Sequence, residues 1–430
     1  MYKSLRVLIG FAMLCMANAA QAQNISNTPY SRFGLGDYNY NLGNVRNAGM
    51  AGVGISAGNS FHSNAANPAL LYYNSITLFD IGVAGQVKTI KNASESQTDG
   101  NANLYNLALV VPISKRWSSS IGLRPYSIVN YESKTSSTVG GNPDVKLEQQ
   151  YMGEGGLSEA YFAHGLKIAD GLTIGASASY VFGAITRESA STVIDESLEA
   201  IGNEKVVYSE RVRYDNFMFS AGANYRKKIT EKYYLSAGSV YQLGTDLEAK
   251  RRASFERRTL SDRVLDSNIL ADSSEGSVNI PSSLRAGLTL DNGKNLTIGA
   301  DFYTQNWSEF TSFNGKKELG NSYRVAVGAE YTPDANSIDN FLERVTYRAG
   351  VYYGDSPYVV KGETITDKGV TAGFTMPLGR SSMYDYYQLN AALGYGSRGT
   401  KDNGLIKENY FQFSFGFTVN SRWFIKRRID

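Results

Sequence analysis

Between Tyr410 and Asn420 the chain alternates without a break, with Phe411, Phe413, Phe415, Phe417 and Val419 on one side and Tyr410, Gln412, Ser414, Gly416, Thr418 and Asn420 on the other. A period of two is that of a β-strand, so one face of this strand is oily and the other polar. Strands of soluble sandwiches alternate too. Four phenylalanines on one side of a single strand suit a surface that meets lipid better.

The same pattern recurs along the chain. Leu172, Ile174, Ala176, Ala178, Tyr180 and Phe182 alternate with Thr173, Gly175, Ser177 and Ser179, and Ile280, Leu284, Ala286, Leu288 and Leu290 with Ser283, Arg285, Gly287 and Asp291. Segments of this kind fall near 75–90, 103–114, 117–134, 157–168, 172–187, 207–228, 232–252, 278–291, 295–311, 321–333, 344–353, 370–378, 384–398 and 408–420. They number fourteen, and the expected fold is all-β, a 14-stranded antiparallel transmembrane β-barrel with an N-terminal plug.

Composition agrees. Among 430 residues stand 43 Gly, 30 Tyr and 19 Phe but only 9 Pro and 2 His, with 19% charged residues and a net charge of +3. That charge is too small to argue for nucleic acid or an acidic substrate. Residues 1–22 read as an export signal peptide: Lys3 and Arg6, an apolar run from Val7 to Ala17, and Ala20-Gln21-Ala22 before Gln23. Leu14 before Cys15 does not fit a lipoprotein cleavage site, so the single cysteine is expected to leave with the peptide. Disulfides, thiolate metal sites and thiol nucleophiles then fall away together. Nothing after residue 22 reaches the roughly 18 consecutive apolar residues of a spanning helix. A closed barrel crosses lipid without one, because closure satisfies every backbone group.

The gaps between strands give a second reading. Ser114-Lys115-Arg116, Ala169-Asp170-Gly171 and Asn292-Gly293-Lys294 are tight, whereas the gaps after strands 3, 5, 7 and 11 run to roughly twenty residues, as periplasmic turns and outer loops should. Pro333 to Arg344 is the long exception. An even strand count puts both ends of the barrel, residues 75–420, on the periplasmic side, followed by a basic tail at 421–430. If the turn after Asp291 has three residues, the oily faces of its two strands agree and Arg285 stands opposite Asp301 as a lumen ion pair. The mixed charges of 245–275 (Glu248, Lys250, Arg251, Arg252, Glu256, Arg257, Arg258, Asp262, Arg263) read as a solvated outer loop, or as a contact with surface polysaccharide or a partner.

Residues 23–74 do not alternate. They hold Tyr30-Ser31-Arg32-Phe33-Gly34-Leu35-Gly36, then Arg46-Asn47-Ala48-Gly49-Met50-Ala51-Gly52-Val53-Gly54, then Asn67-Pro68-Ala69, a glycine and asparagine density suited to tight turns in a confined space. Phe33, Phe61, Leu70 and Leu71 are candidate apolar anchors, so the segment is expected to plug the barrel.

Here the sequence resembles the FadL/TodX-type outer-membrane transporters of long-chain fatty acids and other hydrophobic compounds. The resemblance rests on Arg46, Gly49, Met50, Gly52 and Gly54 followed by Asn67-Pro68-Ala69, on Ile280-Pro281 with Leu284-Arg285-Ala286-Gly287, Asp301 and Trp307, and on Tyr347-Arg348-Ala349-Gly350-Val351-Tyr352-Tyr353. It covers nearly the whole mature chain and implies that the first set is a hatch. The ending Trp423-Phe424-Ile425-Lys426-Arg427-Arg428 departs from a barrel that stops on an aromatic. It is similar instead to Bacteroidota paralogues, some of which serve protein secretion or barrel assembly.

Catalytic parts are missing. His62 and His164 are far apart in sequence, so neither a zinc site nor a Ser-His-Asp triad has its set; no cofactor, metal or enzyme activity is expected. His62 reads as a hydrogen-bonded packing residue of the plug. His164 shares parity with Phe162, Leu166 and Ile168 and should point outward, which in lipid calls for a redirecting bulge or a partner protein. Gly49, Gly52 and Gly54 lack the order and the strand-turn-helix setting of a phosphate loop. Two functions follow for an exported outer-membrane protein of a Gram-negative bacterium. One is passive uptake of a hydrophobic small molecule or lipid, such as a long-chain fatty acid, gated by the plug. The other is a protein-binding accessory barrel of an outer-membrane secretion or assembly machine, with an envelope protein as partner.

Overall fold

The computed structural model describes residues 27–92, 95–140, 142–195, 204–380 and 386–421. The expected signal peptide and the tail from residue 422 lie outside them. Fourteen antiparallel strands close a barrel. They are β1 (Thr77–Lys91), β2 (Ser96–Ser114), β3 (Trp117–Val139), β4 (Asn142–Ala169), β5 (Leu172–Asp195), β6 (Glu204–Lys228) and β7 (Tyr234–Gln242 continued by Thr245–Thr259). The second half has β8 (Val264–Ile280 continued by Ser283–Asp291), β9 (Leu296–Gln305), β10 (Ser322–Tyr331), β11 (Thr346–Val360), β12 (Glu363–Arg380), β13 (Tyr386–Arg398) and β14 (Lys407–Ser421). Pairing of β14 with β1, from Lys407 opposite Lys91 to Ser421 opposite Thr77, closes the ring and leaves no edge in the lipid zone.

The alternation on β14 is realised: Phe411 and Phe415 face outward, while Ser414, Gly416, Thr418 and Asn420 are buried in the interior. Ile174, Tyr180 and Phe182 on β5 likewise point outward. The sequence pattern slips at one place. Ile280 was expected to share a face with Leu284, yet it is fully buried inside while Leu284 and Leu288 point outward. The chain breaks step at Pro281-Ser282, opposite the break at Leu243-Gly244 in β7, because proline cannot donate to the ladder.

The long outer loops are the main correction. β3 runs on to Val139 and β4 starts at Asn142, Lys361-Gly362 turns β11 into β12, and 245–275 is a paired hairpin of β7 and β8 with a turn at 260–263. Above the lipid neither face meets hydrocarbon, so the oily alternation that marks a spanning strand fades although the backbone ladder continues. The charges of that hairpin are partly paired on its inner side: Arg258 meets Glu188 at 2.7 Å and Glu256 at 2.8 Å, and Lys205 meets Asp262 at 2.8 Å.

The turn after Asp291 is longer than three residues: the last ladder pair sets Asp291 opposite Thr297, with five residues, 292–296, between them. Asn292 Oδ1 accepts from the N–H groups of Lys294, Asn295 and Leu296 and so widens the turn. The register therefore moves by two: Arg285 lies opposite Tyr303, and Asp301 opposite Gly287. An even slip preserves the faces but separates the pair.

His164 does point outward, next to exposed Phe162 and Leu166, and no bulge redirects it; its register with Ser119 and Ala176 is continuous. The cost of an outward imidazole is met by neighbours instead. Nδ1 lies 2.8 Å from Ser119 Oγ and accepts from Trp117 Nε1 at 3.2 Å, close to the periplasmic turn at Lys115-Arg116.

Candidate functional site: the barrel lumen and its N-terminal segment

Residues 27–74 make contacts with inward-facing groups on opposite walls of the barrel. At the outer end the amide of Thr28 donates to Asn130 O at 2.7 Å, and Tyr30 Oη donates to Ile406 O at 2.5 Å. Asp37-Tyr38 then pairs as a two-residue strand with Ser127-Ile128 of β3. The chain descends to one helical turn at Val45–Ala48, whose capping box is Asn44 with Asn47, and ends in a 3₁₀ turn at Pro68–Tyr73 capped by Asn67. Lacking side-chain periodicity, the segment is held by asparagines acting as backbone surrogates. Asn47 donates to Val53 O, Asn64 to Gly54 O and Asn67 to Ile55 O, at 2.7 to 2.8 Å.

The barrel wall is shaped to receive it. Glycines face one another across neighbouring strands on the lumen side: Gly165, Gly175 and Gly222 on β4 to β6, Gly238 and Gly287 on β7 and β8, and Gly299, Gly328 and Gly350 on β9 to β11. Removing Cβ there lets backbone lie on backbone. A Cβ on Gly175 would come within 2.4 Å of Ala69 N, and one on Gly350 within 2.5 Å of the Met50 carbonyl carbon. The sequence showed the glycine excess, but the belt emerges only when the registers align.

Charged groups fasten both ends. Arg46 grips Glu330 with two bonds, Nε to Oε2 at 2.8 Å and Nη2 to Oε1 at 3.1 Å, and Arg348 Nε donates to the same Oε2 at 2.6 Å. At the outer end Arg398 Nη1 lies 2.9 and 2.8 Å from the two oxygens of Asp37. Burial pushes the Asp37 carboxyl up, but Arg398 and Lys88 outweigh it and hold the group below its ordinary value. Arg124, itself paired with Glu159, donates to Leu42 O at 2.6 Å, and Arg187 to Gly34 O at 2.7 Å.

The expected site residues fall as follows. Gly49 rests on Gly373, Met50 on Gly328 and Gly350, Pro68 on Gly165 and Gly175, and Asn67 on Gly222. Gly52 has φ +91°, a conformation that favours glycine. Ala69, Leu70 and Leu71 are fully buried, and Phe33 packs on Tyr358. Phe61 is no internal anchor: it is 46% exposed at the periplasmic rim beside Tyr386.

Arg285 and Asp301 both face the lumen yet do not pair. Arg285 donates to Tyr40 O at 3.0 Å and lies over the Tyr303 ring, while Asp301 accepts from the amides of Gly54 and Ile55 at 2.7 and 3.0 Å. Each therefore binds the segment, which the sequence could not place. His62 is buried in the segment, but against the expectation of a hydrogen-bonded residue its Nδ1 finds no hydrogen-bond partner among the described residues. Burial drives its basicity well down, helped by Arg348 and Arg46 and opposed by Glu330.

A cavity of about 190 Å³ lies between the segment and β1, β2, β13 and β14. Its lining is mixed, with the charged Asp37, Arg324, Asp367 and Arg398 beside apolar groups such as Ala51, Leu104 and Leu393. Among the described residues no cluster of His, Cys, Asp and Glu could hold a metal.

Comparison with solved structures identifies the fold. The Ralstonia pickettii toluene transporter TbuX aligns with TM-score 0.58 at 16% identity, over 89% of this chain and 99% of its own. A Pseudomonas aeruginosa FadL homologue aligns at 0.58 and 15%, over 90% and 100%, and the P. putida toluene transporter TodX at 0.54 and 17%, over 90% and 100%. The likeness is one of fold, a closed antiparallel β-barrel. A search of curated proteins gave no match. A family model described as BamG matches residues 1–430.

Proposed function

Because this chain belongs to the BamG family, we propose that it acts as a sealed accessory barrel, binding envelope proteins within an outer-membrane secretion or assembly machine. The observation that carries this reading is the fastening of residues 27–74 at both ends of the lumen by ion pairs, the buried Arg46 with Glu330 and the part-buried Arg398 with Asp37. A gate that opens on each passage would have to break the Arg46–Glu330 pair, and breaking a buried pair costs about 3–5 kcal/mol. The charged Arg324, Asp367 and Arg398 in the lining of the 190 Å³ cavity support the same reading. In this role the hatch residues Arg46, Gly49, Met50, Gly52, Gly54, Asn67, Pro68 and Ala69 form a fixed plug, and the exported, processed chain presents its outer hairpins to a partner.

The second reading is uptake of a hydrophobic small molecule such as a long-chain fatty acid. It is favoured by the glycine belt, a seat without side chains along which a plug can be displaced. Vesicles reconstituted with the full chain separate the two. Faster entry of oleate than in protein-free vesicles would overturn the sealed-barrel reading, and unchanged entry with stoichiometric recovery of envelope proteins from native membranes supports it.

A further inference from the structure

The outer part of β8 has a free edge. Val264–Ile280 pairs with β7 on one side. Among the described residues nothing pairs with its other side before the Asn279–Thr311 bridge, because β9 ends at Gln305. A span of about ten residues crosses the bilayer, so counting up from the turn at Asn292 puts the rim near Ser282 and leaves 264–278 in water. Every unpaired N–H and C=O along such an edge is a template for another strand.

The side chains there are unusual for a wet hairpin. Val264, Leu265, Ile269 and Leu270 are 37 to 50% exposed, although no lipid reaches them. The edge strand also carries Asp266, Asp272 and Glu275 and no cation from Val264 to Ile280. Lys250 and Arg252 of β7 approach Glu275 and Asp272 at 3.4 and 3.9 Å, but these pairs are exposed and exchangeable.

Resting on the accessory-barrel reading, we infer that this edge binds a partner by strand addition, the occupant being an extended segment of an envelope protein that alternates apolar residues with Lys or Arg. Backbone bonds give the affinity, Ile269 and Leu270 the apolar contacts, and the three carboxylates the sign of the partner. A second copy of this chain is a poor occupant, since it would bring the same carboxylates.

The test uses full-length protein in native outer membranes with benzoylphenylalanine at Asn268 or Ile269. Irradiation should give one adduct with an envelope protein whose linked peptide carries Lys or Arg. The adduct should fall about tenfold when Asp266, Asp272 and Glu275 are replaced by Lys, and fall to a lesser degree in the isosteric Asp272→Asn/Glu275→Gln variant. Retained heat-modifiable mobility certifies that the barrel is folded. An adduct with a second copy, a linked peptide without cations, or an adduct indifferent to the substitutions overturns the inference. So does the lack of any adduct while envelope proteins still co-purify, an outcome that leaves the accessory-barrel reading intact; loss of all co-purifying protein removes both.

Discussion

Met50 rests directly on Gly328: a Cβ added to the glycine would stand 2.6 Å from the Met50 carbonyl oxygen and 2.7 Å from its Cβ. The wall and the segment thus touch backbone to backbone, and the next residue across, Gly350, extends the same seat.

Gly328→Val should therefore expel the segment while leaving the barrel closed, because the ladder is the stiffer partner. Limited proteolysis should cut within 27–74 at least several-fold faster, with unchanged heat-modifiable mobility. Gly394→Val is the control, since a Cβ there meets nothing nearer than Thr371 Cγ2 at 3.5 Å, an ordinary contact.

Removing the carboxylate between two buried guanidiniums should be far costlier than removing one at the surface. Glu330→Gln leaves Arg46 and Arg348 uncompensated, and about 3–5 kcal/mol of stability should be lost on urea unfolding in lipid vesicles. Glu132→Gln, whose pair with Lys134 is exposed, should change stability by less than about 0.5 kcal/mol.

How much of this was legible follows from where each signal lies. The strands that cross lipid announce themselves, as with the phenylalanines of β14, because two unlike solvents impose a period of two. The outer hairpins do not, since Ser133 to Thr138 meet water on both faces. Arg46, Met50 and Asn67 stood out by type and spacing, but their partners Glu330, Gly328 and Ala223 are 156 to 284 residues away along the chain. The Arg285–Asp301 pair failed on the length of a single turn, which sets Thr297 and not Asn295 opposite Asp291.

Acid should loosen the segment through His62. Its folded basicity lies well below the ordinary value near 6.5, so the stability it contributes is present above about pH 6.5 and is lost as pH falls. Protection of residues 59–74 against hydrogen exchange, taken relative to the intrinsic rate at each pH, should fall as pH drops below about 6.5. His62→Leu should flatten that fall; an undiminished fall would assign it to another group.

Asn67→Ala should fray the end of the segment. The change removes bonds to Ile55 O at 2.7 Å and Ala223 O at 3.2 Å and the cap on Ala69 N at 3.0 Å, at about 1 kcal/mol each. Faster amide exchange confined to Pro68–Tyr73 is the expected readout.

The sealed, partner-bound barrel is tested most directly by the mass of the particle purified from native outer membranes in mild detergent. Native mass spectrometry should find the chain in a stoichiometric complex with envelope proteins that survives removal of lipid. A bare monomer carrying a hydrophobic small molecule would contradict the account.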